Sequence, residues 1–373
     1  MQTCGTRTRQ SARSSGGSSG CPCRGEVDAL MVQAQKVDEW RDKPVGLGHG
    51  RGPARHPLIL KVLAALRHMA KGLDPDDLEN VARISESTLR AFIKQFVKWL
   101  SVEMYPLHVK LPDAAKLRAS LKVYAKLGTP GAYCETDGVH LEWEACPAAW
   151  RARCVGKEGY PTIAFNVSIL HSREIIHVSE WCAGAVNDQT QARHDKLFQK
   201  LRHSQADLTD NPDLLKFELL DHAGNPVGHE GLYAIVDGGY LAWRCLQPPL
   251  KHAAGDDAAR WSERMESIRK AVEMTFGILK KRFRLLRGAQ DSRDPVHISH
   301  VFRACCVLHN ILLKHDKLDS MGVRSSDWVQ SKEVLRTRAL SLQDVVRDPF
   351  RRECVHRLFR QLPLLEAYYE ENA

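Results

Sequence analysis

The chain has 373 residues, 43% of them hydrophobic, enough for one large α/β domain with smaller pieces around a buried core. Lys and Arg number 54 against 45 Asp and Glu, a formal net charge of +9 that favours a polyanionic partner. No apolar run approaches the roughly 18 residues of a membrane span, which sets membrane partners aside, and the 11 cysteines show neither zinc-module spacing nor the even count of a disulfide framework, so a reducing compartment is expected.

Residues 1 to 55 are rich in Gly, Ser and Arg and read as a disordered basic segment, with one short helix near residues 27 to 40. Order begins at His56. Ile59, Val62, Leu63, Leu66 and Met69 recur at helical spacing, and Gly72 is placed to end that helix. A short helix follows over residues 75 to 82, and Ser85 is placed as the N-cap of a third that runs to about Leu100. Three helices so spaced suit a helix-turn-helix-like region over residues 56 to 104. Its third helix would set Arg90 and Lys94 against DNA; the plainer reading is a small bundle that props up the next domain.

A helical connector covers residues 111 to 128, and then the pattern turns to strands. Residues 133 to 143 alternate around an acid, 162 to 170 are rich in β-formers, and 174 to 181 follow after a turn, as in an antiparallel meander. A helix is expected over 187 to 202, a short apolar strand over 231 to 236, a long helix over 258 to 286 and another over 296 to 314. Residues 315 to 373 read as a mostly amphipathic helical extension, broken at Pro349, that suggests no chemistry.

Three acids stand where a metal-dependent nuclease needs them. Such enzymes gather hard oxygen ligands from separate elements around two Mg²⁺ ions roughly 3.5 to 4 Å apart. Asp137 lies within the first strand beside Gly138, and Asp237 ends the short apolar strand before Gly238 and Gly239. Glu273 sits 36 positions later in the long helix, just off the stripe of Met265, Ile268, Val272, Phe276 and Leu279. By its helix alone it is an ordinary surface glutamate paired with Arg269 four residues earlier. The helix carries nine basic residues against three acids between Arg260 and Arg287, a solvated face or, more sharply, a phosphate-contacting one. Strand, strand, strand, helix, strand, helix, with acids on the first and fourth strands and on the following helix, is the order of a ribonuclease H-like α/β fold: a mixed sheet with flanking helices over residues 128 to 314.

Six stretches in order carry a family likeness: ETDGVHLEWEACPAAW (135 to 150), PTIAFNVSI (161 to 169), GAVNDQT (184 to 190), YAIVDGGYLAW (233 to 243), SIRKAVEMTFGILKKRFRLLR (267 to 287) and FRACCVLHNIL (302 to 312). The chain resembles the PIF/Harbinger transposases, within them the plant transposon protein group, over roughly residues 54 to 314. The resemblance implies that Asp137, Asp237 and Glu273 correspond to the catalytic, metal-binding DDE triad. It places His140 and Trp143 in the first motif, and Asn187 and Asp188 in a Gly-Ser-x-x-Asp loop. Glu135 and Thr136 stand where the family prefers small or apolar residues, and Ala185 and Val186 replace the usual Ser and its neighbour. Asp188 reads as a helix-capping carboxylate or as a group that orients a metal ligand. His140, three residues past Asp137 on an alternating strand, is expected on the opposite face, in a structural or ligand-orienting role. His309 and Asn310 read as helix-anchoring groups, and Cys305 and Cys306 as small buried hydrophobes.

The activity so implied is cleavage of DNA phosphodiesters at transposon ends and strand transfer by the freed 3′-hydroxyl, with Mg²⁺ or Mn²⁺ as cofactor. Arg269, Lys280 and Lys281 would steady the DNA backbone. The family likeness adds a Myb-like DNA-binding accessory protein and a nuclear location; a homo-oligomer is a further partner expectation, which the family likeness does not supply. The competing reading is a domesticated relative that binds DNA or protein without cutting. A hydrolase of small phosphate esters is a third, disfavoured by the basic helix.

Overall fold

The computed structural model describes residues 23–37, 56–220, 225–250 and 256–313. The expectations for the remainder of residues 1 to 55 and for 315 to 373 lie outside the described residues. Helix α1 (Cys23–Ala34) belongs to a separate unit that ends at Arg41, and everything below concerns the larger one.

Apolar residues at helical spacing make three helices of the first region. In α2 (Leu58–Lys71) the buried face is Leu58, Val62, Ala65 and Met69, and Gly72 stops the helix in the left-handed conformation at φ 66°, its N–H bonded to His68 O. Helix α3 (Pro75–Ala82) starts on a proline, whose missing N–H costs nothing at a first turn. In α4 (Glu86–Trp99), Leu89, Phe92, Ile93, Phe96 and Val97 face inward. Ser85 precedes that helix as expected but does not cap it: its hydroxyl bonds Thr88 Oγ1 at 2.8 Å and not a backbone N–H. The three helices pack on one another, and the chain continues through a π-helical turn, Leu100–Met104, into α5 (Tyr105–His108). The connector is α6 (Ala114–Lys126), capped by Asp113, whose carboxylate accepts from Lys116 N.

The six-stranded sheet runs in the order Ile175–Val178, Thr162–Ile169, Ala132–Glu142, Tyr233–Ile235, Leu246–Gln247, with Cys182–Ala183 paired to Thr162–Ile169. Its first three strands, β1 (Ala132–Glu142), β2 (Thr162–Ile169) and β3 (Ile175–Val178), form the expected antiparallel meander. The short helix α7 (Ala148–Cys154) and the two-residue β4 (Cys182–Ala183) accompany it. The expected helix over 187 to 202 is two, α8 (Asp188–His194) and α9 (Lys196–His203). It breaks at Asp195, whose carboxylate accepts from Leu197 N to start the second helix and pairs with His177 of β3 at 2.9 Å. A hairpin of β5 (Lys216–Leu220) and β6 (Pro226–Glu230) follows, which sequence periodicity did not announce. Then β7 (Tyr233–Ile235) lies parallel to β1, and β8 (Leu246–Gln247) parallel to β7.

Two long helices complete the fold, α10 (Asp256–Arg282) and α11 (Pro295–Leu313). This is a mixed-sheet, ribonuclease H-like α/β fold with flanking helices. One core gathers Tyr133, Cys134, Ala234 and Val236 from the sheet with Phe198 and Leu201 from α9. On the α11 side, Phe302 stacks on Phe165 of β2 with centroids 4.5 Å apart. Helix α11 corrects one expectation. Its 19 residues are long and apolar enough by composition to cross a bilayer, although His297, His300, Arg303, His309 and Asn310 leave no unbroken apolar run of that length. The helix is mostly buried and packs against α4, α5 and β3 as a core element. Asn310 ties it to β3, accepting from Ile175 N and donating to Ile175 O.

Candidate active site

Strand pairing brings the first two acids together. In the parallel β1–β7 ladder, Glu135 lies beside Ile235. Two residues further along each chain, a full strand period, stand Asp137 and Asp237. Each is steadied by the glycine stretch that follows it: Gly138 N donates to Asp137 Oδ1 at 2.8 Å, and Gly239 N donates to Asp237 Oδ1 at 2.7 Å. Helix α10 packs against β1 and delivers Glu273, whose side chain is 49% exposed, at the same place.

Between these acids lies Arg269. Its guanidinium meets Asp137 Oδ2 at 2.5 Å, Glu273 Oε1 at 2.7 Å and Glu266 Oε2 at 3.0 Å. Burial opposes that positive charge, but the three carboxylates outweigh it and hold the group protonated, above its ordinary value. The sequence reading set Arg269 against the DNA backbone; the structure sets it among the acids, including the i−4 pairing with Glu273. Among the described residues no group of three or more His, Cys, Asp and Glu side chains is gathered tightly enough to hold a metal ion in this arrangement.

Asp188 adds a fourth carboxylate. The cap of α8 is Asn187, whose side chain accepts from Thr190 N at 2.9 Å. Asp188 is thus relieved of the capping role and sits in the first turn, facing Asp237. A methyl group added to Gly239 would overlap the Asp188 carboxylate and lie 2.9 Å from Asp237 Oδ1, so the bare glycine is what lets both acids approach one point. The electrostatics record the crowding. Burial lifts the Asp137 carboxyl to about 6, Arg269 opposes the rise, and Asp237 and Glu273 add to it. Burial and then Asp237 raise that of Asp188. Hard oxygens in excess over one guanidinium are a donor set for Mg²⁺ or Mn²⁺, provided Arg269 releases Asp137 and Glu273.

Two residues that sequence reasoning missed lie beneath the acids. Asn166 of β2 sits opposite Gly138 and accepts from the Tyr240 hydroxyl at 2.9 Å. Its Nδ2 is buried with no hydrogen-bond partner among the described residues. Asp137, Asp188 and Asp237 all act on Tyr240, whose hydroxyl is driven well above its ordinary value first by burial and then by those charges. The available signal was Asn166 as the one amide in an otherwise apolar and hydroxyl-bearing strand, TIAFNVSI.

The other expected residues are spread out. The His140 ring meets Thr162 Oγ1 at 2.9 Å, and burial followed by Lys157 lowers its basicity. Lys280 donates to His140 O at 3.2 Å, and burial lowers its ammonium. Lys281 is exposed in the last turn of α10. Arg90 and Lys94 are exposed on α4, the former paired with Glu86 at 2.5 Å. Trp143 is buried and donates from Nε1 to Ser292 O at 2.7 Å.

Comparisons with known proteins agree on one kinship. The sequence pattern of the plant transposon protein family matches residues 107–319. The Homo sapiens protein named "Putative nuclease HARBI1" is 25% identical over 260 residues, which cover 68% of this chain and 67% of that relative. Its Bos taurus namesake is 32% identical over 89 residues, 23% of this chain and 26% of the relative. No solved structure matches.

Proposed function

The chain belongs to the plant transposon protein family, a group of transposase-derived nucleases, and on that premise we propose that it cuts DNA phosphodiesters at transposon ends with Mg²⁺ or Mn²⁺. The observation that carries the reading is that Asp137 inside β1, Asp237 just past the end of β7 and Glu273 on α10 are brought into one neighbourhood, with Asp188 beside Asp237. Asp137, Asp237 and Glu273 would hold the cations. When bound, these supply Lewis acidity and charge neutralisation to a phosphodiester under attack by water. Asp137 and Asp237 act as fixed ligands, since a backbone N–H orients one oxygen of each. Glu273, half exposed on its helix, is the adjustable one.

Arg269 serves as the internal counter-ion of the carboxylates and, once displaced, is within reach of a phosphate oxygen. Lys280 and Lys281 flank the bound backbone. Strand transfer would follow, with the freed 3′-hydroxyl as nucleophile in the same carboxylate frame. The family likeness extends the proposal to action in the nucleus and with a Myb-like DNA-binding partner. A second reading, a relative that binds DNA or protein without cutting, draws on Arg269, because its pairs with Asp137 and Glu273 make the acids self-satisfied.

The deciding experiment is cleavage of end-labelled duplex DNA in Mg²⁺ or Mn²⁺ by wild type beside Asp137→Ala, Asp237→Ala and Glu273→Ala. We expect cutting by wild type and a loss on the order of a thousandfold or more in each variant. Cutting retained by all three would remove the triad; no cutting by a folded, DNA-binding wild type would favour the second reading.

A further inference from the structure

A second charged recess lies on the arm that carries Asp188. Its volume is about 720 Å³, and Arg193, Lys196, Lys200, Arg202, His203 and Trp243 line it. No acid is among its lining residues, though Lys200 makes an exposed pair with Asp207 at 3.5 Å. The Arg202 guanidinium lies over the Trp243 indole, 4.7 Å from the ring centroid.

Both walls lead to the carboxylates. Helix α8 starts with Asp188 at the acids and ends beside Arg193 at the recess, one helix of seven residues, or roughly 10 Å, away. The other wall, Leu241 and Trp243, belongs to the loop that leaves Asp237. Cations that track a phosphate backbone, interleaved with planar groups on which bases stack, are the two elements of a single-strand site. A recess of this volume admits a splayed-out nucleotide, within the ~300–1,000 Å³ of small-ligand sites.

We propose that this recess binds single-stranded DNA next to the carboxylate centre, with a base stacked on the Trp243–Arg202 pair and its flanking phosphates on Arg193, Lys196 and Lys200. The proposal rests on the reading of the chain as a DNA-cutting nuclease, and it adds that the strand beside the cut is held unpaired. Indole and guanidinium planes both accept any base, so the site tolerates all sequences and depends steeply on salt.

The test is binding of the full chain to a labelled 12-nucleotide oligodeoxythymidylate and to a blunt duplex, by fluorescence anisotropy without divalent metal. Trp243→Ala should weaken single-strand binding roughly tenfold and duplex binding much less. Trp243→Phe, which preserves an aromatic plane, should restore most of the loss and controls for misfolding. Lys200→Ala should flatten the salt dependence of single-strand binding by about one phosphate contact. The proposal is overturned if Trp243→Ala leaves single-strand affinity intact, if it weakens both DNA forms equally, or if polyglutamate of matched charge competes as well as the oligonucleotide, which would make the recess a plain anion or acidic-peptide site. Wild type that binds and cuts duplex while Trp243→Ala is silent removes the recess alone. Wild type that binds neither form removes the nuclease reading with it.

Discussion

The three-helix region and the carboxylate centre hold their charges in opposite ways. On α4, Arg90 and Glu86 pair across one helical turn in the open, with 55% and 41% of their side chains exposed. Such pairs contribute little, because water screens them and two long side chains must be ordered to make them. Inside β1, Asp137 is only 16% exposed and shares its surroundings with Asp237, Glu273 and Asp188. Surface charges arranged for solubility spread out; here carboxylates are crowded at a cost in burial and mutual repulsion that Arg269 offsets only in part. On the proposed reading the chemistry belongs at the sheet, and the three-helix region is a platform or an auxiliary DNA contact.

That contrast can be broken at four points. The largest effect is expected from Gly239→Ala, whose new methyl group would force Asp188 and Asp237 apart. DNA cleavage should fall on the order of a hundredfold while the melting temperature barely moves, because Gly239 is only partly buried. Full activity in this variant would mean that the two acids need not meet.

Arg269→Ala should cost about 2 kcal/mol of stability in metal-free buffer, since it strands a mostly buried Asp137 carboxylate. If a divalent cation takes the same carboxylates, millimolar Mg²⁺ should raise the melting temperature of the variant more than that of wild type. Equal Mg²⁺ responses would argue against a shared site.

Glu135 supplies the pH test. Burial lifts its carboxyl to about 8, against the hydrogen bond donated by the Tyr124 hydroxyl, from an ordinary 4.5. The folded protein therefore keeps this proton to a higher pH than the unfolded chain does. Its contribution to stability is complete below about 4.5 and declines as pH rises through about 8. Glu135→Gln preserves an acceptor for Tyr124 and cannot ionise. It should flatten thermal stability across that range and gain on the order of 1 kcal/mol at the alkaline end. A variant whose melting curve still tracks wild type over these pH values would place the proton elsewhere.

The smallest effect belongs to the three-helix region. Arg90→Ala with Lys94→Ala should leave folding within about 0.5 kcal/mol and lower duplex affinity by only a few-fold at physiological salt. A loss as large as that of the triad variants would reverse the comparison and make α4 the main DNA-reading element.

Much of this architecture could be read from residue order, because strong periodicity survives without a partner. Strands β1 and β2 and helices α10 and α11 fall within a few residues of their expected bounds. The hairpin β5–β6 escapes such a reading although Lys216, Phe217, Glu218 and Leu219 alternate, because that run is short and its partner PVGHE shows no apolar alternation of its own. The break between α8 and α9 was hidden for a different reason. Asp195 looks like any helix-surface acid until His177, 18 residues earlier on β3, is brought against it. At the site, Asp137 and Asp237 announced themselves by strand position, whereas Glu273 needed its spacing to Asp237 and the family likeness. The place of Arg269 was half legible: its i−4 partner followed from the helix, but its contact with Asp137 spans 132 positions and depends on how α10 crosses β1.

Helix α11 also governs how the molecule is made. It comes after every element it covers, α4, α5 and β3 among them, so these faces stay bare throughout synthesis until the helix emerges. Meanwhile the helix, free of its sheet, has the length and greasiness of a bilayer segment. Among the described helices, the last to be made is thus also the most apolar. The three-helix region leans on it: cut out alone, α4 would expose the surface that α11 covers.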